Sequence, residues 1–244
     1  MTRIILHHHL GLGDHFICNG LVNHLAETQI VHLPCKRAYR ATIACLYGEQ
    51  PNVDVFPVDD EAADVADAAR RLNAEILRVG FGRVDRARFD RSFYEQLGVP
   101  FEYRYSKFRL PSRIPHEEDV FHALAGGHER YGLVHREASR GVYALRLPPS
   151  VFVIEITRRA GAMFENLLSY RRLIERAAEI HCVNSSVIHL VDSIAPLAAL
   201  YYHDVWKRNF QTRLPWQTVD YRPRWPHEAA ARARGVVRRL TARQ

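Results

Sequence analysis

The sequence predicts an α/β fold of two Rossmann-like domains that face a common cleft, and three observations carry that expectation. Apolar strands alternate with amphipathic helices along most of the chain, the order that a parallel sheet requires. Two of the strands run straight into polar turns that open helices: His9-Leu10-Gly11-Leu12-Gly13-Asp14-His15, and Asn184-Ser185-Ser186-Val187-Ile188-His189-Leu190. In open α/β sheets, ligands bind at the carboxyl ends of strands, where helix N-termini hold anions, so each of these turns marks a mouth of the cleft.

The elements follow in order. Residues 4–6 read as a strand, 14–26 as a helix with Ile17, Leu21 and Leu25 on one face, and 29–33 as a second strand. Residues 36–47 read as a helix closed by Gly48, 53–58 as a strand, 62–72 as an alanine-rich helix and 76–79 as a strand. The acidic run Asp59-Asp60-Glu61 suits the positive end of that alanine-rich helix. The aromatic and basic stretch 101–115, broken by Pro111 and Pro115, is the expected boundary, which gives a first domain over 1–115. A second run over 116–221 then reads as helix 117–124, strands 131–135 and 151–156, helix 166–178, strand 180–183, helix 185–194 and a last short strand at 200–203.

Composition excludes several classes. The chain has 244 residues, 47% hydrophobic and 25% charged, which is enough to bury a core. No uncharged apolar run approaches the roughly 18 residues that span a bilayer, and no signal-peptide core follows the N-terminus, so the expected location is cytoplasmic. The cysteines Cys18, Cys35, Cys45 and Cys182 form no Cys-x-x-Cys pair and read as reduced, mostly buried thiols. Nearly all of the net charge of +7 lies in residues 222–244, where seven arginines face the single Glu228. This basic tail or helix suits solvent, self-docking or weak peripheral contact with an anionic surface, and no specific nucleic-acid partner is expected.

Two constellations carry chemistry. At the first turn, Gly11 and Gly13 permit close backbone approach, and Asp14 lands at the helix start with its carboxylate toward the cleft mouth. A lone Asp there could simply cap the helix, but His9, His15 and Asn19 gather more polar side chains than capping needs. Phe16 stands where a dinucleotide fingerprint wants its third glycine, and no P-loop motif occurs. At the second turn, Asn184 is placed to cap the helix, Ser185 and Ser186 offer hydroxyls and N–H groups at its positive end, and His189 follows one turn later. A diphosphate fits such a helix start; so does the plainer reading, an Asn-capped core helix whose histidine satisfies a backbone group.

The pair of turns resembles the heptosyltransferase type of glycosyltransferase, GT-B enzymes with a G-x-G-D turn in the first domain and a D-[ST]-G-x-x-H-L segment in the second. Gly11, Gly13 and Asp14 match the first pattern, and Ser185, His189 and Leu190 match the second; Asn184 stands where the family has Asp, and Ser186 where it has Gly. The resemblance implies a GT-B-like fold with an acceptor-side first domain and a nucleotide-sugar-binding second domain. It implies a nucleotide-sugar donor as substrate, without a separate cofactor. By similarity Asp14 is the base of a single inverting displacement, with His15 or His9 positioning the acceptor or tuning the carboxylate. Gly11, Gly13 and Asn19 then shape the acceptor side, and residues 81–91 are an expected acceptor face. Asn184, Ser185, Ser186 and His189 would hold the donor together with Arg140, whose loop 135–141 follows a strand; Arg136 in the same loop pairs equally well with Glu137 or solvent. No metal is expected, because the sequence lacks Asp-x-Asp and at most His7 and His9 of the histidine triplet converge on one face. A sugar-nucleotide epimerase of the same double fold and a non-catalytic nucleotide-sugar-binding protein stand as alternatives, and the sugar, base, acceptor and oligomeric state stay open.

Overall fold

The computed structural model describes residues 1–147, 152–157, 159–205 and 212–221. The basic segment 222–244 lies outside the described residues. The first half contains β1 (Thr2–His7), α1 (Leu12–Ile17), α2 (Asn19–Leu25), β2 (Gln29–Lys36), α3 (Arg40–Leu46), β3 (Val53–Val58), α4 (Glu61–Leu72) and β4 (Glu75–Arg78), followed by α5 (Phe89–Glu95) and the short α6 (Tyr103–Ser106). The second contains α7 (Glu117–Ala125), β5 (Tyr131–His135), a small hairpin of β6 (Glu137–Ala138) and β7 (Gly141–Val142), β8 (Phe152–Glu155), α8 (Arg171–Arg176), β9 (Glu179–Cys182), α9 (Ser186–Ile194), β10 (Ala199–Asp204) and β11 (Gln217–Asp220).

These strands form two separate parallel sheets, in the orders β3-β2-β1-β4 and β11-β10-β9-β5-β8. In the first sheet the order reverses between β1 and β4, and in the second between β5 and β9. Those are the switch points of doubly wound sheets, where helices leave on opposite faces and a crevice opens beyond the strand ends. The Gly11 turn follows β1, residues 81–89 follow β4, the β6–β7 hairpin follows β5, and the Asn184 turn follows β9. All four segments that meet a ligand at such crevices are thus supplied by the topology.

The central strands are buried along their length because helices cover both faces; β5 is apolar and buried from Tyr131 to Val134 and ends in buried His135. One apolar cluster runs through both halves, from Ile4, Phe16 and Leu33 to Leu133, Ile180 and Val191. A smaller one, with Ile5, Val58, Val65 and Ala68, lies against α4. That helix begins as its acidic run predicts, with the Asp60 carboxylate accepting the Ala63 N–H at 3.1 Å, and ends at Asn73 in the left-handed region with φ 49°.

Several elements differ from the sequence reading. The helix expected at 14–26 starts at Leu12 and kinks at Cys18, whose ψ of 0° separates α1 from α2. The helices expected at 36–47 and 166–178 each begin as a 3₁₀ turn, Arg37–Tyr39 and Leu167–Tyr170, before α3 and α8. In the latter the Asn166 side chain accepts the Leu168 N–H at 3.0 Å and starts the turn. The strand at 199–204 is not the last, because β11 pairs beside it. Residues 101–115 contain α6, which packs on α2. No helix among the described residues is long and apolar enough to cross a membrane.

Candidate active site

The carboxyl ends of both sheets open on one cleft of about 2250 Å³, lined from the first half by His9, Gly11, Gly13, Asp14, Arg37, Arg40 and residues of the segment 81–90, and from the second by Glu137, Arg140, Asn184, Ser185, Ser186 and His189. Two helix starts meet here because of a missing side chain. A Cβ on Gly13 would lie 3.1 Å from His189 Cδ2 and 3.6 Å from Ser186 Cα, so the glycine lets the α1 turn lie directly against the start of α9. Asp14 and His189, far apart in sequence, therefore line the same cleft.

Asp14 sits in the first turn of α1, its N–H donating to Gly11 O at 3.0 Å. Its side chain is largely withdrawn from water, and this desolvation raises the carboxyl to about 7, against the smaller opposing pull of the Gly11 and Asp14 N–H groups and Lys36. Gly11 is needed for this placement: a Cβ there would overlap Asp14 Oδ2 and push the carboxylate aside. A carboxyl poised near neutrality in a cleft is suited to proton abstraction.

At the facing mouth the N-cap of α9 is Ser185 and not Asn184, which lines the cleft without capping. The helix starts one residue later than the sequence reading, so the cap position passes to the serine, which holds extended backbone at φ −158°. Ser185 Oγ is buried and has no hydrogen-bond partner among the described residues, and the first N–H groups of α9 point along the helix axis toward the cleft. His189 receives a hydrogen bond at Nδ1 from Arg104 Nη2 at 3.3 Å. Burial and that guanidinium push its pKa down to about 3, so the ring is neutral.

The other expected residues divide. His9 lines the cleft, where its Nε2 accepts the Phe81 N–H at 2.6 Å and its ring meets those of Phe81, Phe89 and Phe93; it anchors the segment after β4. His15 does not reach the cleft. The 100° step of the helix turns it away from its neighbour Asp14 into the interior, where it is fully buried edge-to-face on His8 with ring centroids 4.5 Å apart. Neither nitrogen of His15, nor Nε2 of His8, has a hydrogen-bond partner among the described residues, and desolvation depresses both rings, His8 to about 4 and His15 well below the ordinary range. Asn19 is likewise buried away from the cleft, its Oδ1 accepting from Arg109 N at 2.8 Å and Asn23 Nδ2 at 3.0 Å, and Asn23 Nδ2 also donates to Lys107 O at 2.9 Å, so the two amides together tie down residues 107–109. Arg140 is exposed at the turn of the β6–β7 hairpin, on the cleft rim, where Gly141 takes φ 131°. Arg136 lies 3.5 Å from Glu155, while Glu137 instead accepts from Thr157 Oγ1 at 2.5 Å.

Sequence reasoning missed the arginines Arg37, Arg40 and Arg159, which line the cleft; Arg86, also in its lining, falls within the segment expected as the acceptor face. Arg37 and Arg40 were within its reach, since they follow the carboxyl end of a strand in a parallel sheet. Among the described residues no three His, Cys, Asp or Glu side chains gather as a metal site; His7 donates instead to Glu61 Oε1 at 2.8 Å.

No protein-family model matches the sequence, and no curated protein does. The fold matches solved structures. A glycosyl transferase family 9 protein of Veillonella parvula superposes with a TM-score of 0.58 over 96% of this chain and 91% of its own, at 12% identity. The iron-containing dodecameric glycosyltransferase TibC of enterotoxigenic E. coli superposes with a TM-score of 0.50 over 82% of this chain and 57% of its own, at 15% identity. The E. coli ADP-heptose heptosyltransferase II aligns at 12% identity over 83% and 84%, with a TM-score of 0.46. With the first two of these, this chain shares the α/β, GT-B-like type of fold that its sequence predicts.

Proposed function

We propose that this chain transfers a sugar from a nucleotide-sugar donor to an acceptor hydroxyl, in a single inverting displacement that needs no metal ion. One observation carries the reading: a carboxyl raised to about 7 lines the same cleft as an uncapped helix start whose neighbouring groups are hydrogen-bond donors. Asp14 takes the proton of the acceptor hydroxyl as that oxygen bonds to the anomeric carbon. The bond from this carbon to the diphosphate breaks in the same step. The negative charge left on the nucleoside diphosphate then meets the positive end of α9, Ser185 Oγ, Ser186, the neutral His189 and the Arg140 guanidinium, a set that can do the work of a cation. Asn184 contributes from the same turn. Residues 81–90, anchored by His9, form the acceptor wall.

Calorimetry with UDP-, GDP-, ADP-, CMP- and dTDP-sugars tests the donor side. For the sugar nucleotide that binds, Ser185→Ala, His189→Ala and Arg140→Ala should each weaken affinity by about tenfold, Arg140→Ala most because a guanidinium can hold a diphosphate through two bonds. Unchanged affinity in all three, with folding preserved, removes the second half of the chain from the site. Product analysis separates this reading from an epimerase, which would return an isomerised donor and no new glycoside.

A further inference from the structure

We infer that Arg104, held in place by Asp90, is a positioning residue that fixes the tautomer of His189 and so makes its Nε2 a hydrogen-bond donor at the cleft. Arg104 belongs to α6 of the first half, is only 4% exposed, and is paired with the Asp90 carboxylate of α5. From there its Nη2 crosses to Nδ1 of His189 on α9 of the second half, at 3.3 Å.

The chemistry of that contact leaves one arrangement. A guanidinium carries five N–H donors and no acceptor, so Nδ1 must present its lone pair, and a neutral imidazole then has its proton on Nε2. The opposite tautomer would set N–H against N–H. The imidazolium would set cation against cation at hydrogen-bond distance. Around the ring, α1 offers the bare backbone of Gly13, with Asp14 next along it, and α9 itself offers Ser186 and, one turn on, Asp192, whose charge also reaches Arg104. Asp90 keeps the buried guanidinium from being an isolated charge, and the rings of Phe101 and Tyr105 flank it at 5.9 and 5.1 Å. Nε2 lies 3.6 Å from the position a Gly13 Cβ would take, on the side where α1 and α9 converge. A histidine whose ring could in principle donate or accept at Nε2 is thereby committed to donating. The step from this donor to diphosphate binding rests on the function proposed above; the tautomer does not.

The test uses the full chain with ¹⁵N-labelled histidine. Two-bond ¹H–¹⁵N spectra at pH 7.5, with His189 assigned by its loss in His189→Gln, should show the Nε2–H pattern in the wild type. Arg104→Lys, which still donates, should retain it. Arg104→Met should mix the tautomers, and should weaken binding of whichever of UDP, GDP, ADP, CDP and dTDP the wild type holds most tightly by about tenfold. If Arg104→Met strands Asp90 and fails to fold, the double variant Arg104→Met/Asp90→Asn removes the orphaned carboxylate and is read the same way. An Nδ1–H or imidazolium pattern in the wild type, or a pure Nε2–H pattern in the methionine variant, overturns the inference. If no nucleoside diphosphate binds the wild type, the donor-site reading falls, while the spectra still decide the tautomer.

Discussion

Asp14→Asn is expected to lower sugar transfer by about a hundredfold or more, the scale of a lost general base, while making the protein more stable. Both effects follow from the same desolvation. A carboxyl whose pKa is near 7 in the folded protein and 3.8 in the unfolded chain binds its proton more tightly when folded. Stability is therefore lost as pH rises from about 4 through 7, and the whole loss is present above that. The amide carries no charge to desolvate, so at pH 8 the variant should gain on the order of a few kcal/mol and several degrees in melting temperature. Near pH 3 it should gain nothing. Calorimetric melting at the two pH values, beside turnover with the cognate donor, separates the claims. Wild-type turnover should also climb with pH through about 7 as the carboxylate ionises. Full activity in the variant would end the assignment of Asp14 as base; an equal melting shift at both pH values would mean that the carboxylate is not desolvated.

Gly20→Ala should be the most damaging single methyl group in the first half. Gly20 lies in α2, and a Cβ there would overlap the Tyr103 carbonyl oxygen and approach its carbon at 2.7 Å and Arg104 Cα at 3.1 Å. All three are backbone atoms, so no side-chain end can swing aside, and the expected loss is about 3 kcal/mol. Urea unfolding measures it directly. Gly82→Ala, with nothing within 4 Å of its added carbon, is the control and should unfold at the wild-type midpoint. Because α6 carries Arg104, any fold that survives the Gly20 change should also lose the guanidinium's contact with His189. An alanine variant as stable as the wild type would mean that α2 and α6 are not packed this closely.

The cleft was legible in the sequence where one local pattern decides the outcome. An apolar strand, a glycine turn and an Asp at the next helix start place Asp14 at a strand end whatever the rest of the chain does, and Ser185 and His189 follow from the same logic one domain later. Residues beside these were not legible. His15 adjoins Asp14 in sequence, but the helical step sends it inward, and an inward polar ring between Asp14 and Phe16 breaks the pattern that marks buried faces. The cap passed from Asn184 to Ser185 because helix ends are fixed by a single residue's backbone, below the resolution of periodicity. The two-residue strands β6 and β7 are too short to show alternation. Arg104 left no signal at all: its helix spans four residues, and its position depends on a glycine more than eighty residues earlier.

The facing rings of His8 and His15 bind folding to proton uptake. Unfolded, each titrates near 6.5; folded, His8 is held at about 4 by desolvation, against the opposing pull of the His9 carbonyl on its Nδ1, and His15, with no hydrogen-bond partner among the described residues, lies well below its ordinary value. Unfolding below pH 6.5 therefore draws protons from solution, and the native state weakens as acid is added from there toward pH 4. Asp14 works in the opposite sense over the same interval, since its folded form gains a proton more readily than its unfolded one. Between about pH 4 and 6.5 the carboxyl at the cleft mouth acts as a counterweight to the acid lability of the two rings, and a chain without it would be sturdier in alkali, no weaker in strong acid, and steeper in its loss of stability from one to the other.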